Sequence, residues 1–235
     1  MIESLAFGFG HDALPSGSSG QGDSRGIEAG HTAPHYQPYA GSSPKARIEG
    51  GSRGRDSHDP HVIPLVPDHV GLTTNHQPVL YWYLSKPTTS PIIFVLIDTR
   101  SIEVIHDVTI APQPQPGVQR VQLKDFGISL EPNVPYRWYI TVVLDADFPS
   151  RDIVSGGMVQ RVIPDGLSYL PTTGNMAAVQ FYAEAGLWYD AFASVSELIA
   201  AAPTNRVFRK QRASLLQQVG LQEVAEWDLR HTDTD

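Results

Sequence analysis

The stretch Tyr136-Arg137-Trp138-Tyr139-Ile140-Thr141-Val142-Val143 decides the fold. Successive side chains of a strand point to opposite faces. Tyr136, Trp138, Ile140 and Val142 therefore share one face, and Arg137, Tyr139, Thr141 and Val143 share the other. The first face is wholly apolar, so it is read as the core side, with Trp138 as its central residue. Working outward, β-rich runs of similar length occur at 79–85, 92–98, 104–110, 118–123, 136–144 and 154–163. Breakers separate them: Pro87 and Pro91, Pro112 through Gly117, Gly127 and Pro132, and Pro149. No helical period intervenes. Six or seven short strands at this spacing predict an antiparallel sandwich. The run 92–97 is apolar on both faces, as expected of a central strand or of one partly covered by the later helices.

The residues just before the deciding strand add a local signature. Leu130-Glu131-Pro132-Asn133-Val134-Pro135-Tyr136 resembles the turn before the F strand of fibronectin type III and related immunoglobulin-like domains. There a tyrosine opening the strand bonds back to upstream backbone and fixes the corner. The resemblance implies an immunoglobulin/fibronectin III-like antiparallel β-sandwich over residues 61–166, with Leu130 plugging the core.

After Pro164 the rhythm changes. From about residue 175 Ala, Leu, Gln and Glu dominate, and the chain repeats itself at an offset of 34. Gly186-Leu187 followed by Ala191 recurs as Gly220-Leu221 followed by Ala225, with Tyr182 and Leu216 in equivalent places and Pro203 after the second helix. The pattern resembles the tetratricopeptide repeat: a glycine at the tight turn, a small residue where helices cross, a proline that ends the helix. It implies two helix pairs over 170–230, with helices near 175–185, 188–201, 205–218 and 221–229. Thr204 or Asn205 is the expected cap of the third. Asn175 and Ala178 depart from the large residues of that repeat. Two pairs are too few for a long concave groove, so they are expected to pack on the sandwich through Phe181, Trp188, Phe192 and Phe208. The competing reading of those four rings is an exposed patch for a partner.

The flanks read differently. Residues 1–60 hold eleven of the twenty glycines, with many Ser, Pro and His and few aliphatic residues. Such a segment buries too little apolar surface to offset the entropy of ordering, and it is read as a disordered leader. Residues 231–235 are read as a disordered tail. Residues 1–10 carry Glu3 and no Lys or Arg, which does not match a signal peptide. No apolar run spans a bilayer. The formal charge of −8 argues against nucleic-acid binding. The absence of cysteine excludes disulfides, thiolate zinc sites and cysteine nucleophiles.

With both halves in view, residues 49–229 resemble a bacterial family known as domain of unknown function 928. The resemblance is carried by Gly50-Gly51-Ser52-Arg53-Gly54, Leu65-Val66-Pro67, Gly71-Leu72-Thr73-Thr74, and Pro78 with Tyr81-Trp82-Tyr83-Leu84. It continues through Tyr136-Arg137-Trp138-Tyr139, Asp152-Ile153-Val154 with Gly157 and Arg161, and Tyr182-Ala183-Glu184, Gly186 and Trp188-Tyr189-Asp190-Ala191. Members of that family generally look exported, which implies a periplasmic or extracellular location. The family carries no established activity, so the resemblance implies no catalytic residue.

The search for chemistry yields two weak clusters. His58-Asp59-Pro60-His61 places two imidazoles near a carboxylate, but zinc needs three or four convergent ligands. The run Asp145, Asp147 and Asp152 has alternate carboxylates suited to calcium, without the glycine and terminal glutamate of an EF-hand. It is read as a polar loop in which Arg151 or Arg137 answers one carboxylate. His106, between Val104 and Val108 on one strand face, is read as a half-buried histidine satisfied by hydrogen bonds. No nucleophile elbow, zinc-protease helix, Walker loop or dinucleotide fingerprint is present. The chain is therefore expected to be a non-enzymatic interaction or accessory protein of the cell envelope, with the sandwich as scaffold and the helices as docking element for a protein partner. The alternative is a small-ligand or carbohydrate-binding module that uses Tyr81, Tyr83 and Tyr139. No catalytic, cofactor or metal residue is assigned.

Overall fold

The computed structural model describes residues 32–39, 46–50, 59–164 and 170–231. Eight strands precede four helices: β1 (Val62–Pro64), β2 (Gly71–Thr73), β3 (Val79–Leu84), β4 (Ile92–Asp98), β5 (Glu103–Ile110), β6 (Gly117–Gln122), β7 (Pro135–Val142), β8 (Ile153–Arg161), α1 (Met176–Glu184), α2 (Trp188–Ala201), α3 (Arg206–Gln218) and α4 (Gln222–Arg230). The six expected strands correspond to β3 through β8, and the four expected helices to α1 through α4. β1 and β2 are three residues each, too short to display a period of two.

The strands form two sheets, ordered β1-β3-β6 and β2-β8-β7-β4-β5. The pairing departs from the expectation in one place. β2 runs parallel to β8, with Gly71 opposite Val159, while the other strand pairs are antiparallel. The β1–β2 connection crosses from one sheet to the other, which brings β2 in alongside β8 rather than back along it. Along β7 burial alternates strictly, with Tyr136, Trp138, Ile140 and Val142 inside. The corner forms as expected: the Glu131 amide donates to the Tyr136 hydroxyl at 3.2 Å, and Leu130 is buried.

β3 is covered on both sides. Leu80, Trp82 and Leu84 fill the space between the sheets, whereas Tyr81 and Tyr83 are buried against helices. Tyr81 meets Phe192 of α2 edge-on at 5.1 Å, and Tyr83 meets Trp227 of α4 at 5.5 Å. The helices thus form a third layer on the outer face of the smaller sheet. α2 is buried around most of its circumference, as a helix enclosed between other elements must be.

The 34-residue repeat is visible as duplicated geometry. Gly186 and Gly220 both take positive φ, 73° and 79°, which a side chain disfavours. The Leu187 amide donates to Tyr182 O at 2.8 Å, and Leu221 to Leu216 O at 2.9 Å. Ala191 and Ala225 are both fully buried where the helices cross. Asn175, which looked like a departure from the repeat, is the cap of α1: its side chain accepts from the Ala178 amide at 2.9 Å. Asn205 rather than Thr204 caps α3.

Candidate functional site

Several of the residues that carry the family resemblance meet at the junction of sandwich and helices. Trp188 at the start of α2 donates its indole N–H to Leu65 O at 2.9 Å. Next to it, Tyr189 enters the seam between the sheets. Its hydroxyl accepts from the Trp138 indole at 2.9 Å and donates to Met158 O at 3.0 Å. Burial pushes the Tyr189 hydroxyl far above the usual tyrosine range, so it stays protonated. Gly71 is required by this contact, because a Cβ there would lie 2.6 Å from the Tyr189 ring.

Asp190 completes the junction. Thr73 Oγ1 donates to its Oδ1 at 2.8 Å, and the Thr74 amide and hydroxyl donate to its Oδ2 at 2.7 and 3.2 Å. Burial pushes its pKa up to about 6, against the lowering effect of those bonds. Both oxygens are engaged in holding the turn after β2, so this carboxylate is a tether rather than an open base. Gly71-Leu72-Thr73-Thr74 and Trp188-Tyr189-Asp190 are separate runs in the sequence, Thr74 and Asp190 being 116 residues apart, and the fold joins them.

Two segments assigned to the leader lie on this body, contrary to expectation. Tyr36 is buried, edge-on to Trp188 at 5.0 Å, and its hydroxyl is hydrogen-bonded to His69 Nε2 at 2.8 Å. Burial lowers the His69 pKa, the nearby Asp68 opposing it. Gln218 of α3 accepts from the Tyr36 amide and donates to Pro34 O, both at 2.8 Å, and the Gln37 amide donates to Ala183 O of α1. Residues 32–39 therefore cover the helices with backbone-specific bonds. Ile48 forms an antiparallel bridge with Gly156 of β8. Arg47 donates to Val66 O in the sandwich and to Val219 O at the end of α3, where a helix terminus favours a cation. A few apolar and bonding residues in a glycine-rich run suffice once a folded surface supplies their partners. Apart from Asp59 and Pro60, the remainder of the leader, and residues 232–235 of the tail, lie outside the described residues.

The other sequence candidates disperse. His58 lies outside the described residues, and His61 approaches Glu223 of α4 at 3.4 Å. Among the described residues no group of three or more His, Asp or Glu could hold a metal ion. Asp145 pairs with Arg151 at 3.2 Å, as the loop reading expected, while Arg137 instead donates to Ala46 O. His106 does not share a face with Val104. A bulge at Ile105 intervenes, so His106 sits opposite Leu96 and Val104 opposite Ile97. The His106 ring rests on Phe126 at 4.8 Å, and its buried Nε2 has no hydrogen-bond partner, contrary to the reading of a hydrogen-bonded histidine.

Of the rings proposed for docking, Trp188 and Phe192 are fully buried and Phe181 packs at the rim of the core. Phe208 is half-buried outside that cluster. Tyr81 and Tyr83 are covered by helices, so they form no solvent-facing platform for a sugar. Tyr139 alone of the three faces away from the core.

What remains open is the outer face of the larger sheet. Register places Ile93, Val95 and Ile97 of β4 opposite Thr141, Tyr139 and Arg137 of β7 on one side and opposite Thr109, Asp107 and Val104 of β5 on the other, with Val154 of β8 beyond Thr141. Val104 is 54% exposed, Val154 40% and Ile102 82%. β5 pairs only with β4, leaving its second edge unpaired among the described residues. No helix of the described residues is long and apolar enough to cross a membrane.

The fold and junction define a two-sheet, immunoglobulin-like sandwich with a helical cover locked to it. The chain belongs to the family described as Domain of Unknown Function (DUF928), whose model matches residues 48–229. No curated protein matches it. Among solved structures it is similar to a DUF3244 family protein with an immunoglobulin-like β-sandwich fold from Bacteroides vulgatus. That match has 13% identity and a TM-score of 0.27, covering 48% of this chain and 97% of the other. It is also similar to a multi-domain immunophilin from Arabidopsis thaliana, at 8% identity and a TM-score of 0.19, covering 82% of this chain and 100% of that one.

Proposed function

We propose that this protein is a non-enzymatic interaction module of the cell envelope, and that its partner is a protein docking on the outer face of the larger sheet and the free edge of β5. The carrying observation is the apolar strip Ile93, Val95 and Ile97 of β4, extended by Val104 beside Ile97, with Val154 exposed across Thr141, on a face that the chain's own helices do not cover. A strip of apolar side chains near an unpaired edge favours addition of an extended segment, with main-chain bonds for affinity and alternate side chains for specificity. The helices, expected to be the docking element, direct their apolar faces to the sandwich and to residues 32–39, which leaves the sheet as the better-supported surface. The tetratricopeptide likeness of the helix pairs is part of this reading and rests on the duplicated glycine turns. The envelope location rests on the exported character of similar family members.

Affinity capture from the source organism with the tagged full chain tests this reading. The comparison is wild type against a Val104→Lys, Val154→Lys double variant, both positions being solvent-exposed. A partner retained by wild type and lost from the variant, with the circular dichroism of the two identical, is the expected result. Identical sets of captured proteins would refute it.

A further inference from the structure

A cleft of about 570 Å³ opens between the smaller sheet and helices α2, α3 and α4, on the opposite side of the molecule's layers from the proposed docking face. Its walls carry Arg120 of β6, Arg209 and Arg212 of α3, and Ser196 of α2, with the rings of Tyr81 and Trp227 between them. The charge arrangement is unusual for a chain with a formal net charge of −8. Arg212 grips Asp228 through two bonds, Nε to Oδ2 at 2.7 Å and Nη2 to Oδ1 at 2.6 Å, and Arg209 adds a third at 3.1 Å. One fully buried carboxylate thus anchors two guanidiniums, leaving a positive surplus fixed in place. Arg120 is exposed and has no ion pair among the described residues. Glu197, exposed on α2, is the acidic group felt at Tyr81 beside the cleft. Three guanidiniums against Asp228 and Glu197 still leave the cleft cationic.

We infer that this cleft binds a small anionic compound of sugar size, its phosphate or carboxylate held by Arg120 and Arg209 and its body lying against Trp227. Guanidinium forks match the planar or tetrahedral oxygens of such groups, and Arg209, already held by Asp228, loses little freedom on binding. The volume suits a ligand larger than a bare ion. Gln113 and Gln119 also line the cleft; their amide nitrogens donate to Ala111 O and Gln115 O, and their carboxamide oxygens are neutral acceptors for hydroxyls. Ser196, bonded to Arg212 at 3.4 Å, orients the buried guanidinium rather than the ligand.

Isothermal titration of the full chain with glucose 6-phosphate, glucuronate and glucose, in a buffer free of phosphate and sulfate, tests the inference. Binding of either anion without binding of glucose is expected. Arg120→Gln, at an exposed position, should weaken that binding roughly tenfold or more, the loss of a charge-assisted contact. Arg151→Gln, an exposed arginine on a distant loop, should leave it unchanged. No binding of either anion, equal binding of glucose, or equal losses in both variants would overturn the site. None of these outcomes bears on the sheet-face proposal, so the two stand or fall separately.

Discussion

The Trp138 indole N–H donates to the Tyr189 hydroxyl at 2.9 Å, joining the central strand of the sandwich to the central helix of its cover. Both residues are buried, so neither partner can turn to water instead. Tyr189→Phe keeps the ring but removes the acceptor of Trp138 and the donor to Met158 O. Leaving such groups unpaired costs about 1–3 kcal/mol each. The variant should unfold at lower urea concentration with an unchanged slope, and an unchanged midpoint would mean the bond is dispensable.

Asp190 gives the junction a pH dependence whose sign is fixed. Its folded pKa, about 6, lies above the ordinary aspartate value, so the folded state holds the proton more tightly. The stabilisation is present at low pH and is lost as pH rises through about 6. Asp190→Asn carries no proton to lose. The wild-type stability should fall relative to that variant by on the order of 2–3 kcal/mol between about pH 4 and about pH 7. Chemical denaturation at both ends of that window measures the difference, and parallel curves would contradict the assignment.

Tyr36 pins the covering segment through its ring, its hydroxyl and its amide. Replacing it with alanine should cost about 3 kcal/mol, the scale of losing a buried aromatic side chain. Hydrogen exchange should then rise at the Gln37 amide and along the end of α1, whose Ala183 carbonyl that amide caps. Exchange that stays at wild-type protection would show the segment to be held by other contacts.

The Arg212–Asp228 pair illustrates why deleting one member of a buried ion pair is worse than deleting both. Arg212→Met leaves the Asp228 carboxylate, which has no exposed surface, with only Arg209. Such a loss is on the order of 3–5 kcal/mol. The double variant Arg212→Met, Asp228→Leu removes the stranded charge and should recover much of it, since Arg209 is partly exposed and can reach water. A double variant no better than the single one would rule out charge burial as the cause.

The periodic elements were legible because they depend on local spacing. The alternation of β7 and the 34-residue repeat need no knowledge of distant partners. Tyr36 and Arg47 were not legible, because their order comes from groups far along the chain: Gln218 lies 182 residues from Tyr36 and Val219 lies 172 from Arg47. The aromatic pair Tyr36 and Tyr39 in a leader poor in aliphatic residues was the available signal. Val104 was misplaced relative to His106 because a single bulged residue reverses every side chain after it. The cleft was hidden for a further reason. Arg120 and Arg209 are 89 positions apart, and only the tertiary fold brings β6 and α3 to the walls of one cleft.

The helices and the sandwich form one folded body, joined through Trp188, Tyr189 and Asp190. Urea unfolding followed in parallel by far-UV circular dichroism, which reports α1 to α4, and by tryptophan emission from Trp82, Trp138, Trp188 and Trp227 measures this directly. A single coincident transition is predicted. Helical signal lost at a clearly lower urea concentration, with a second emission transition from Trp82 and Trp138 of the sandwich at higher urea, would contradict it.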